Sequence, residues 1–82
     1  MGYHTRVIEK GVYGQSSKIK EEIEELQDAE LQKNKIMVLI ELSDLICAVK
    51  GYLDAQYPDF SIDDLIKMAD ATHSAFVDGT RK

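Results

Sequence analysis

The chain has no tryptophan, one cysteine, one proline and no long apolar run. Each shortage removes a class of explanation. A single cysteine, Cys47, forms no intrachain disulfide. Its setting in Leu45-Ile46-Cys47-Ala48-Val49 reads as a reduced thiol packed in a core, the usual state in a cytoplasmic compartment. No stretch approaches the roughly 20 apolar residues of a transmembrane helix, so no membrane partner is expected. The first eight residues lack the apolar centre of a signal peptide, and Arg6 stands where a myristoylation signal asks for Ser or Thr. Positive charge is also short, with ten basic against fifteen acidic residues and a net charge of −5. That balance argues against nucleic acid as the partner.

What remains is a small acidic chain of 82 residues, read as one domain spanning 1–82. Domains of this size bury a modest fraction of their surface and usually rely on a disulfide, a metal or a partner subunit. With the disulfide excluded, a metal and a homo-oligomer are both expected.

The pattern predicts an all-α bundle of three main helices with an N-terminal arm, completed by oligomerisation. Residues 1–15 carry glycines at 2, 11 and 14 and no helical period. They read as an arm crossing the helices; the alternative is two short extended pieces, Val7-Ile8 and Val12-Tyr13, on either side of a turn near Lys10-Gly11. Ser16 or Ser17 is the expected N-cap of a first helix over 17–32, with Ile19, Ile23, Leu26 and Ala29 on its buried stripe. Lys33-Asn34-Lys35 is the connection of an antiparallel hairpin. The second helix, 36–56, is apolar around most of its circumference through Ile36, Val38, Leu39, Ile40, Leu42, Leu45, Ile46 and Val49. Such a helix is expected to be covered on several sides. Tyr57-Pro58 breaks it. Ser61 caps a third helix over 61–78, with Asp64 completing a capping box. Ile62, Leu65, Ile66, Ala69, His73, Phe76 and Val77 form the buried stripe of this helix, and Gly79 ends it.

The chemistry concentrates in two carboxylate pairs. Glu41 and Asp44 interrupt the apolar second helix three residues apart, so they project to one side. An isolated carboxylate among apolar groups must be paired, protonated or bound to a cation. Gly51 lies on that side two turns on, leaving room. Glu22 and Glu25 repeat the spacing beside the stripe of the first helix, whereas Glu21, Glu24 and Asp28 are expected to face solvent. In an antiparallel hairpin the two pairs converge. Four oxygen donors with no His or Cys nearby select a hard cation, Mg²⁺ or Mn²⁺, which is a natural handle for a polyphosphate. The alternative is a solvated acidic face, its inner carboxylates neutralised by Lys18, Lys20 or Lys50. His4 and His73 read as structural. Tyr3, Tyr13 and Tyr52 read as packing residues, with stacking on a base as the other option.

Glu21-Glu22-x-x-Glu25 followed by Glu41-x-x-Asp44 resembles the EExxE…ExxD signature of the MazG-like all-α nucleoside triphosphate pyrophosphohydrolases. The likeness covers roughly residues 17–56 and extends loosely to the third helix. It implies Mg²⁺-dependent cleavage of an NTP, dNTP or related nucleotide polyphosphate to a nucleoside monophosphate and pyrophosphate. It also implies a homodimer or homotetramer. By position, Glu22, Glu25, Glu41 and Asp44 would be the metal ligands. Glu21 would be a supporting carboxylate that helps orient the attacking water, and Glu21 and Glu22 together would form the catalytic pair. The phosphate-gripping residues of the family have no matching motif here; Lys50, Lys67, Arg81 and Lys82 are the candidates. Two further readings on the same fold are a nucleotide binder without catalysis and a helical interaction module.

Overall fold

A computed structural model describes residues 4–79, which form three α-helices and, among the described residues, no strand. The helices are α1 (Ser16–Leu31), α2 (Lys35–Gln56) and α3 (Ile62–Val77). No helix among the described residues is long and apolar enough to cross a membrane. Tyr3, Arg81 and Lys82 lie outside the described residues.

The start of α1 differs from the serine cap expected of Ser16 or Ser17. Gln15 occupies the N-cap position and makes no side-chain cap. Ser17 turns back instead, and its Oγ accepts the Val12 N–H at 3.0 Å. Gly11 permits this approach, because a Cβ there would sit 2.2 Å from the Ser17 carbonyl oxygen. The helix start is therefore held by the segment before it. Val7-Ile8 and Val12-Tyr13 are not strands, because α1 offers that segment side-chain acceptors and no free sheet edge.

Between α1 and α2 the chain reverses through Lys33, whose φ of 55° is in the left-handed region. Asn34 then caps α2, its side chain accepting the Met37 N–H at 3.1 Å. A lysine in that conformation costs roughly 1 kcal/mol or more that glycine avoids. Lys33→Gly is expected to raise the denaturant midpoint by an amount worth about 1 kcal/mol, with an unchanged slope in chemical unfolding.

α2 ends at Gln56, where the Tyr57 N–H donates to the Leu53 carbonyl and Pro58 follows. The capping box of α3 is complete. Ser61 Oγ accepts the Asp64 N–H at 3.2 Å and Asp64 Oδ2 accepts the Ser61 N–H at 2.9 Å. Gly79, at φ 77°, follows the end of α3.

α1 and α2 pack along their lengths, while α3 touches α2 lightly and does not pack on α1. Small residues, Ala29 on α1 and Ala48 on α2, allow the close approach, and with Leu53 they are the buried hydrophobic residues among those described. The expected room at Gly51 is filled: a Cβ there would meet the Tyr13 ring at 2.3 Å. Much of the predicted apolar stripe lies open in the single chain. Ile36 is 70%, Leu39 56% and Ile46 60% exposed, because two neighbouring helices cover only part of α2. On α3 no residue is buried, and Ile66, Phe76 and Val77 are exposed for the same reason. Cys47 is exposed as well, not in the core, with Sγ 4.0 Å from the Tyr13 hydroxyl.

Candidate metal centre

α1 and α2 bring the two carboxylate pairs to one place. Glu22, Glu25, Glu41 and Asp44 each offer an oxygen, and the four oxygens lie within 4.8 Å of one another. The helix directions make this possible. Gln56, at the end of α2, donates from Nε2 to the Gly14 carbonyl before α1 at 3.1 Å, so the hairpin is antiparallel and successive turns of the two helices face each other in reverse order.

Burial is severe for acidic groups. Glu41 is fully buried and Glu22 only 4% exposed. One oxygen of Glu22, Oε1, is 3.1 Å from Lys18 Nζ. The other, Oε2, is buried and has no hydrogen-bond partner. Carboxylates taken out of water and placed near one another resist ionisation. Accordingly, burial and then the nearby Glu25 and Asp44 push Glu22 above the usual glutamate range, against the pull of Lys18. Burial and then the adjoining Glu41 and Glu21 do the same to Glu25.

The far face of α1 corrects the expectation for Glu21 and Asp28. Neither faces solvent: Glu21 is 3% exposed and Asp28 0%. The segment before α1 covers them. Glu21 Oε1 accepts the Gly11 N–H at 2.8 Å, and its Oε2 meets Lys18 Nζ at 3.2 Å. Burial opposes the charge of Glu21, but the Gly11 amide and Lys18 outweigh it and hold its carboxyl below the usual range. Lys18 is raised in turn, since Glu22 and Glu21 overcome the burial that disfavours its charge. Asp28 accepts from the Thr5 hydroxyl, from the Thr5 N–H at 3.0 Å and from Gln32 Nε2 at 3.1 Å. These donors, the Thr5 hydroxyl first and the Thr5 amide next, drive its carboxyl far below the ordinary range despite burial.

His4 is the functional candidate missed by sequence reasoning. Its side chain is 7% exposed, with Nδ1 3.0 Å from Asp28 Oδ2. Its Nε2 lies 3.8 Å from Glu25 Oε2 and 3.9 Å from Glu41 Oε2. Only Glu21 and Asp28, two turns apart on one helix face, hinted that a polar segment would pack there. Of the expected phosphate ligands, Lys50 and Lys67 are exposed. Beside the carboxylates, a surface cavity of about 280 Å³ is lined by Tyr13, Lys18, Glu22, Asp44, Cys47 and Ala48, with Lys50 and Lys67 absent from the lining. Lys18 is thus the lysine that lines this cavity. His73 is exposed on α3, not packed in a stripe.

The donor set suits a divalent cation: carboxylate oxygens, one of them buried and partnerless, in a cluster whose mutual repulsion a cation would relieve. No protein family, characterised protein or solved structure matches this chain.

Proposed function

We propose that the chain is a Mg²⁺-dependent nucleotide pyrophosphohydrolase of the MazG-like kind, cleaving a nucleotide polyphosphate to a nucleoside monophosphate and pyrophosphate. The convergence of Glu22, Glu25, Glu41 and Asp44 within 4.8 Å across α1 and α2 carries this reading. Mg²⁺, or Mn²⁺ in its place, would supply neutralisation of phosphate oxygens and acidification of a bound water.

The chain's own residues define the rest of the role. Glu22, Glu25, Glu41 and Asp44 hold the cation. Glu21, kept ionised by the Gly11 amide and Lys18 and lying against Glu25, is the supporting carboxylate that fixes the ligand set and helps orient water. Lys18 spans Glu21 and Glu22 and lines the neighbouring cavity, so it is the basic group best placed to meet a phosphate. Tyr13 forms another wall of that cavity and offers a ring for a base to lie against.

The test is a panel of NTPs and dNTPs with Mg²⁺ and identification of products. Pyrophosphate together with the monophosphate supports the reading. Orthophosphate, or no product at all, contradicts it. The absence of Lys50 and Lys67 from the lining of the neighbouring cavity favours a second reading, a nucleotide binder without catalysis. Under that reading nucleotides raise the melting temperature and are recovered intact.

We further propose a homodimer or homotetramer, supported by the exposure of Ile36, Leu39, Ile40 and Ile46 on one chain. Light scattering is expected to give at least twice the mass of one chain. Ile46→Asp is expected to lower that mass, because a charge would replace an apolar contact at a covered face. A monomeric wild type would refute the assembly.

A further inference from the structure

His4 reaches the carboxylate centre from outside the four-carboxylate set. Its imidazole is enclosed, with the side chain 7% exposed and Nδ1 3.0 Å from Asp28 Oδ2. Asp28 is fully buried and takes donors from Thr5 and Gln32 besides His4. That contact holds the ring so that its Nε2 edge faces Glu25 and Glu41, and the three side chains bring one donor atom each to within 4.8 Å of one another. The Asp–His arrangement is the one that orients metal-binding histidines through their second nitrogen. Nε2 lies 3.8 Å and 3.9 Å from oxygens of those two glutamates. Donors around a cation with bonds of about 2.1 Å stand roughly 3.0–3.4 Å apart, so a small inward movement of two flexible side chains closes the set.

Charge points the same way. Glu22, Glu25, Glu41 and Asp44 bring four carboxylates together, and Lys18 compensates Glu22 while also serving Glu21. The Glu22 Oε2 remains buried without a hydrogen-bond partner. Lys10 Nζ shares the compensation of Glu21 at 3.8 Å, and four carboxylates still exceed Lys18 and one divalent cation by one charge.

We propose that His4, Glu25 and Glu41 form a second cation position, sharing its two glutamates with the four-carboxylate position. Its imidazole ligand makes it selective for a borderline transition-metal cation over Mg²⁺. The proposal rests on the carboxylate centre being a cation site. It adds a nitrogen ligand and a second, chemically different occupant.

The probe is Zn²⁺, added to the full wild-type chain labelled with ¹⁵N in its histidines. His73, exposed on α3, serves as internal reference. Without metal, the His4 and His73 ring nitrogens give the reference spectrum. Zn²⁺ is expected to shift His4 Nε2 into the metal-bound range while His73 stays in place and Mg²⁺ alone produces no such shift. In calorimetry, wild type takes up two Zn²⁺ per chain. His4→Gln takes up one, with Zn²⁺ affinity at the shared glutamates lowered at least about tenfold and Mg²⁺ affinity within about threefold of wild type. One Zn²⁺ bound per chain with unmoved His4 resonances would overturn the proposal and leave the carboxylate site standing. No binding of Zn²⁺ or Mg²⁺ would overturn both.

Discussion

Glu41→Gln is expected to reduce pyrophosphate release by at least about a hundredfold, the scale on which loss of charge stabilisation in an active site is felt. The substitution keeps shape and removes charge. Glu41 is fully buried in α2 and belongs to both carboxylate groupings, with Glu22, Glu25 and Asp44 on one side and with His4 and Glu25 on the other. A neutral amide there weakens the hold on any cation and gives the centre a donor where it needs an acceptor. The protein should stay folded without added metal, because removing one buried negative charge relieves the repulsion that raises Glu25. Thermal unfolding in a chelator separates the outcomes. Activity lost with melting unchanged or improved supports a cation-holding role. Activity lost only because the chain no longer folds would assign Glu41 a structural one.

The metal-free protein is expected to be more stable near pH 5 than near pH 8, with divalent cation reversing that order. Glu22 and Glu25 have folded-state values raised above the ordinary glutamate value of about 4.3. Between the unfolded and folded values the native state binds more protons, so stability falls as pH rises through the raised values. Asp28 and Glu21 are lowered. Their contribution is present above the ordinary carboxylate range and is lost as pH falls below it. The two trends leave a maximum in mildly acidic solution. A cation requires the ionised carboxylates, so it stabilises most at neutral and higher pH. Melting curves across pH, with chelator and with Mg²⁺, measure the effect. A metal-free curve that climbs steadily from pH 5 to 8 would remove the electrostatic argument for the site.

The legible parts of the fold were those governed by local rules. Tyr57-Pro58 ended α2, and Ser61 with Asp64 formed the capping box, because each acts within a few residues. Glu41 and Asp44 stood out because charge among apolar neighbours on one helix needs a partner, and that partner is visible in the register of α1. The covering of α1 was not legible. Residues 4–15 have no period, and their contacts reach far along the chain, as from His4 to Asp28 and from Gly11 to Glu21. Charged residues that look solvated on a helical wheel were therefore buried by a segment whose path no spacing specifies. Cys47 misled for the opposite reason. Its apolar sequence neighbours point around α2 in every direction, and the single chain covers only some of them. His4 joined both effects: an isolated histidine in a segment without period carries no signal until Asp28 fixes its ring.

Calorimetric titration of the metal-stripped protein with Mg²⁺, wild type against Asp44→Asn, tests the four-carboxylate centre most directly. Asp44 takes no part in the His4 grouping or in the contacts that hold the N-terminal segment, so its loss reports on the cation more than on the fold. Saturable binding to wild type, weakened at least about tenfold in Asp44→Asn, is the result expected. Equal binding to both, or binding to neither, would contradict a cation held by Glu22, Glu25, Glu41 and Asp44.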